Sequence, residues 1–386
     1  MNKKVVEIFT CGPSVYQRSH IGNFRTFMFE DLLVRYLLYL GHNVNRGMNF
    51  TDVEDKALEE AEKKGMGLGD LADDNIRNFL AEMDLLRMKI PDYLPRASEH
   101  VDQAVEIIEQ LLDRGIAYWH RGNVYFDPLR FPGFGEIYGL DMSRWPARKK
   151  RFHKDTYPGT RWNLGDFILW HGEKKAGRVR WETRIGKGRP SWNIQDASIM
   201  FKHVHETLSV YCGGFDNVFR HHDYTRAILE SVRPYPMARF WLHGGLLLVG
   251  GQKMSKSRGN IVYTDRVLDQ GFTVEDLRFF LLCHPYREKL DYSNERMRAA
   301  AERLYKFKLR VKEIGVRGNH RPADEESARK VRAIFTGKMN EDLNMGEAFV
   351  ELYEFFSKID PDRLDPHVAS GYGRAIKEID QVLKVM

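Results

Sequence analysis

The stretch Val5-Val6-Glu7-Ile8-Phe9-Thr10-Cys11-Gly12-Pro13 decides how the chain is read. Its apolar run ends in a Gly-Pro pair, the pattern of a short buried strand stopped by a turn. From Asn23 onward, F-R-T-F-M-F-E-D-L-L-V-R-Y-L-L-Y-L places apolar residues at helical spacing up to Gly41, a residue suited to a helix C-terminus. Strand, turn and helix follow one another directly. That order predicts the opening of an α/β nucleotide-binding domain, whose ligands sit at the carboxyl ends of parallel strands.

Reading outward, a second strand is expected over His42 to Asn49, ending in the polar cluster Thr51-Asp52-Val53-Glu54-Asp55-Lys56. Helices should then fill most of residues 53 to 115. Between 116 and 190 the texture changes to short β-like pieces, Asn123 to Asp127 and Asp166 to Trp170, broken by Gly, Pro and the basic run Arg148-Lys149-Lys150-Arg151. An inserted subdomain fits this change. Alternation resumes at Trp192, and beyond Asn294 only helical patterning remains. The expected division is therefore 1–115 and 191–293 as two halves of a Rossmann-type parallel-sheet domain, 116–190 as an insertion, and 294–386 as a helical bundle.

Composition narrows the class. With 42% hydrophobic and 30% charged residues and no long uncharged apolar run, the chain carries no expected membrane span, and a cytoplasmic location is the working expectation. Three cysteines, Cys11, Cys212 and Cys283, make neither a disulfide framework nor a C-x-x-C metal knuckle. A net charge of +6 favours a polyanionic partner.

Two segments carry chemistry. Ser19-His20-Ile21-Gly22-Asn23 lies between the first strand and helix, where a glycine admits close approach and the helix N-terminus offers positive potential to phosphate. Lys253-Met254-Ser255-Lys256-Ser257, flanked by Gly250-Gly251 and Gly259-Asn260, suits a mobile clamp on a triphosphate.

Together they resemble the two signatures of class I aminoacyl-tRNA synthetases, and the surrounding text is similar to the cysteinyl-tRNA synthetases. The matching stretches include C-G-P-S-V-Y at 11–16, H-I-G-N-F-R-T at 20–26, N-F-T-D-V-E-D-K at 49–56, G-G-F-D at 213–216, H-H-D at 221–223 and K-M-S-K-S-R-G-N at 253–260. The resemblance implies ATP with Mg²⁺ as cosubstrate and an aminoacyl-adenylate as product. It implies that His20, Asn23, Lys253 and Lys256 act on the phosphates. Gly12, Ser19, Gly22, Asp216, Ser255 and Ser257 would complete the ATP site, and Cys11, Thr51, Trp192, Asp196, His221 and Thr225 would line the amino-acid pocket. No protein nucleophile is needed, because the substrate carboxylate attacks the α-phosphate itself.

Two departures stand out. The resembling enzymes hold zinc through two cysteines, a histidine and a glutamate; here Cys11 and His221 match, while Asp196 and Thr225 occupy the other two positions. A threonine hydroxyl is a poor zinc ligand, so the expectation is no stoichiometric zinc. If a metal is held, Cys11, Asp196 and His221 would hold it, with help from His222 or Asp223. Asp196 is expected to accept from an amine or hydroxyl of the substrate. The sequence also stops soon after the helical tail, so a separate anticodon-reading domain is expected to be missing. These departures favour a paralogue that passes an activated amino acid to a small amine or other acceptor. The alternatives are a divergent, minimal cysteine-tRNA ligase charging tRNA and a non-catalytic nucleotide-binding protein.

Overall fold

A computed structural model describes residues 5–141, 166–173, 179–318 and 321–386. The basic run at 148–151 lies outside them. The strand read at the start of the chain is Val6–Thr10, and the second is Val44–Met48, shorter at both ends than expected. They pair in parallel, and Leu208–Gly214 pairs with the other edge of the first strand, followed by Ala238–Gly244, also parallel. The first strand is thus flanked by neighbours from opposite directions in the sequence. That is a topological switch point, where a crevice opens beyond the strand ends.

The first helix, Ile21–Tyr39, begins in that crevice. His20 caps it, its Nδ1 accepting from Gly22 N–H at 3.1 Å while its own N–H donates to Asn23 Oδ1 at 3.0 Å. No acidic side chain stands in the first turn, so the positive end of the helix is left for a ligand. At the other end Leu40 is the cap and Gly41 takes φ 80°, a left-handed turn that glycine adopts without strain.

Helices Asp55–Lys64, Leu68–Leu85 and Val101–Asp113 follow the second strand. Residues Ala117–His120, Asn123–Phe126, Phe167–Gly172, Gly186–Pro190 and Trp181–Thr183 then form a separate antiparallel sheet in that spatial order. The tail consists of Asn294–Arg317, Glu325–Met339, Met345–Ser357 and Pro366–Leu383.

Burial ties these pieces together. One apolar cluster runs from Phe24 and Phe27 on the first helix through Phe79 to Val331, Phe335 and Phe349 in the tail, so the helical bundle shares a core with the nucleotide-binding fold. Arg278 fastens the same junction. Wholly buried, it pairs with Asp31 and donates to the carbonyls of Leu86 and Leu383. A second cluster joins the opposite face of the parallel sheet to the antiparallel one, through Phe126, Phe167 and Tyr224.

Candidate active site

The crevice collects both signature segments. Met254 is buried, and its Cε lies where a methyl group on Gly22 would come within 2.6 Å of it, so the lysine loop is seated on the first turn of the helix. Lys253 Nζ pairs with Asp216 Oδ2, just past the strand Leu208–Gly214. Burial and the charge of Lys253 lower the pKa of His20 to about 4. The ring is therefore neutral at pH 7. With Nδ1 accepting from Gly22, the proton sits on Nε2, leaving a donor for a phosphate oxygen.

Gly12 meets the requirement for close approach in a different sense. Its N–H donates to Asn49 Oδ1 at 3.0 Å, and a side chain there would collide with the Asn49 carbonyl. Ser19 is buried beside the cap. On the lysine loop, Ser255 N–H donates to Asn260 Oδ1 at 2.9 Å and the Ser255 and Ser257 hydroxyls lie 3.2 Å apart, while Lys256 stands exposed on the short turn that follows. Gly259, with φ 66°, ends that turn. His20, Gly22, Asn23, Asp216, Lys253 and Met254 thus converge, and Lys256 is carried on the same loop.

The amino-acid side of the crevice is drier. Cys11, Trp192, Asp196, His221 and Thr225 are all buried. Asp196 has no exposure, and its carboxylate is occupied: Asn49 Nδ2 donates to Oδ1 at 2.9 Å, Tyr211 O–H donates to Oδ2 at 2.9 Å, and His221 Nε2 lies 2.9 Å from Oδ2. The Cys11 thiol bonds it as well. His221 and these donors hold its pKa below the ordinary carboxylate range despite burial, while burial and the Asp196 charge push the Cys11 thiol well up. Four donors account for the acceptor sites of a carboxylate. Asp196 is thus an internal hub, with its lone pairs engaged by the protein rather than facing a substrate amine.

His221 and His222 lie on a π-helical turn, Val218–His222, a geometry that recurs at functional sites. Trp192 stacks on the His221 ring at 4.2 Å with 10° between planes. Thr225 begins the next turn and donates its hydroxyl to the His221 carbonyl at 2.8 Å, which steadies the turn. Thr51 sits 3.5 Å from Asn49 Nδ2. Asp223 faces away: its carboxylate accepts from the backbone N–H groups of Ile137 and Tyr138.

His222 carries more than its supporting role in the sequence suggested. Its Nδ1 lies 2.8 Å from His243 Nε2, and among the described residues Cys11, His221 and His222 form the group whose ligand atoms all lie within 4.8 Å of one another. Tyr211, Asn49 and His243 were not expected. Asn49 stands in a stretch that the motifs marked, but Tyr211 and His243 lie on apolar strands with no local signal.

With this geometry, the class I (C) tRNA synthetase catalytic domain matches residues 1–302. The chain belongs to this family. It is 36% identical to the cysteine–tRNA ligase of Chlamydia muridarum across 99% of its own length and 84% of that enzyme's. It is 38% identical to that of Solibacter usitatus over 91% and 75%. In fold it is similar to a Mycobacterium tuberculosis methionyl-tRNA synthetase solved with methionyl-adenylate, with a TM-score of 0.71, 15% identity and coverage of 99% and 92%. This synthetase is accordingly an ATP-dependent ligase with a Rossmann-type fold, as its sequence implied. Among the described residues no helix is long and apolar enough to cross a membrane.

Proposed function

We propose that this synthetase activates cysteine with ATP and passes the aminoacyl group to tRNA. The observation that carries the reading is the convergence of neutral His20, Lys253 and Asp216 at the open N-terminus of the first helix, beneath a lysine loop seated on Gly22. Cysteine–tRNA ligases that align along nearly the whole chain support cysteine as substrate and favour tRNA over the small-amine acceptor that the two departures suggested.

In the first step the amino-acid carboxylate attacks the α-phosphate of ATP and pyrophosphate leaves. The helix N-terminus and His20 Nε2–H hold phosphate oxygens. Lys253, partnered by Asp216, and Lys256 answer the charge that builds as pyrophosphate departs. Mg²⁺ would accompany the triphosphate. The helix Asn294–Arg317 adds a basic surface, with eight Lys or Arg against three Glu and with Arg298, Lys306 and Lys312 exposed, which suits a nucleic-acid backbone.

The test is ATP–pyrophosphate exchange with each amino acid, followed by transfer of labelled amino acid to total tRNA and, separately, to small amines. Cysteine-dependent exchange and acid-precipitable tRNA product are expected. Exchange followed by transfer only to a small amine would overturn the acceptor, and exchange with another amino acid would overturn the substrate.

A further inference from the structure

The zinc-holding residues of similar enzymes are only half present here, yet the structure does not leave Cys11 and His221 without a companion. His222, beside them in sequence, brings a second imidazole to the same point. The three residues are buried, and one ligand atom of each lies within 4.8 Å of the others. Both rings have polar atoms facing no hydrogen-bond partner: His221 Nδ1 and His222 Nε2 are buried and unsatisfied among the described residues. Leaving such atoms unpaired costs about 1–3 kcal/mol each, so two at one place call for a ligand.

The surroundings are those of a metal centre. His222 is oriented from behind by His243, 2.8 Å from its Nδ1, which leaves Nε2 as the outward nitrogen. A methyl group on Gly213 would meet that ring at 2.4 Å (Cε1) and 2.9 Å (Nε2), and Cys11 Cβ at 3.4 Å, so a bare backbone lets imidazole and cysteine close up. Asp196 stands 2.9 Å from His221 Nε2, and Trp192 covers the ring face. A carboxylate or a second polar group behind each ligating histidine is the usual support of a metal-bound imidazole. Asn217 Nδ2 approaches Cys11 Sγ at 3.9 Å, a donor that would steady a thiolate.

We infer that Cys11, His221 and His222 bind one borderline-soft divalent cation such as Zn²⁺, with Asp196 and His243 as positioning residues rather than ligands. One thiolate and two imidazoles suit zinc, and three protein donors leave a four-coordinate ion a place for one small ligand. The charges close: a Cys11 thiolate and the Asp196 carboxylate together balance a divalent ion. As the sulfur–metal bond forms, the thiol proton passes to solvent, so uptake releases one proton per chain. When bound, the ion supplies a positive, sulfur-preferring contact in the pocket. This ligand set is a local rearrangement, with the adjacent histidine taking over where Asp196 and Thr225 have replaced better ligands.

The test uses the full chain, stripped by chelator and titrated with Co²⁺ alone and then with Zn²⁺ in competition. One Co²⁺ per chain is expected, with a thiolate-to-metal absorption band that Cys11→Ser abolishes. His222→Gln should weaken affinity by about 100-fold or more, and Asp196→Asn and His243→Gln by about 10–100-fold with the band retained. Circular dichroism melts show whether each variant is folded; should His222→Gln fail to fold, His243→Gln carries the comparison. A folded native chain that takes up no saturating Co²⁺, or a His222 or His243 variant with native affinity, would overturn the assignment. Binding is read without amino acid, ATP or tRNA, so a failed charging assay leaves this result intact and the converse also holds.

Discussion

Met254 reaches across from the lysine loop to pack on Gly22, 2.6 Å from where a methyl group on that glycine would sit. His20 closes the same space, with ring atoms 2.9 Å from that position. Gly22→Ala is therefore expected to push the loop and the His20 ring apart. An ångström-scale misplacement of charged groups costs about 100-fold in rate, and a drop of that size in ATP–pyrophosphate exchange is predicted, with the thermal melt little changed. Native exchange in a folded variant would show that the contact does not position the loop.

Lys256 stands exposed on the same loop, so its removal should leave the fold intact. Lys256→Ala is expected to lower adenylate formation by roughly 100-fold or more, the scale for losing a charge contact made in the transition state. Single-turnover measurement with saturating ATP and amino acid checks this. An unchanged rate would remove Lys256 from the chemistry.

His20 sets a pH dependence. Its folded pKa of about 4 lies below the ordinary 6.5, with burial the first cause and Lys253 the second. Between these values the unfolded chain binds a proton that the native ring refuses, so stability rises with pH across the window. The contribution is fully present above about 6.5 and is lost as pH falls toward 4. Urea unfolding at pH 7 and pH 5 should therefore show His20→Asn losing less stability on acidification than the native chain. Equal losses would mean that the ring is not held neutral.

Arg278 joins the first helix to the tail, and both it and Asp31 are wholly buried. Arg278→Met leaves Asp31 with Arg35 alone among its cationic partners and frees the carbonyls of Leu86 and Leu383. Breaking a buried pair from one side costs about 3–5 kcal/mol, and that loss is expected in denaturant unfolding. A shift below about 1 kcal/mol would show that the junction is held by its apolar contacts instead.

The exposed cations of Asn294–Arg317 should contribute to tRNA binding by charge and not by sequence. Replacing Arg298, Lys306 and Lys312 together by Gln is expected to lower the salt slope of tRNA affinity by up to about 3, while leaving pyrophosphate exchange unchanged. Filter binding across salt concentrations reads the slope. An unchanged slope would place the tRNA elsewhere.

The sequence by itself determined the local pieces. The apolar run before Cys11-Gly12-Pro13 and the helical spacing after Asn23 are short-range patterns, and the Val6–Thr10 strand and the Ile21–Tyr39 helix follow them. His20 and the lysine loop were legible because phosphate chemistry demands those residue types beside glycine. What the cysteine site had become was decided only by the tertiary structure. Asp196 was read as an acceptor turned to the substrate, since a carboxylate in a pocket has lone pairs to offer. Packing brings Asn49, Tyr211, His221 and Cys11 onto it from three separate strands and a helical turn, and these donors engage it first. The partnership of His222 with His243 was equally hidden: one residue ends a π-helical turn, the other lies on a strand, and no spacing along the chain records that their rings meet. Sequence periodicity reports which face of an element is buried. Which buried polar group meets which depends on how the elements cross, and that is settled when the core closes.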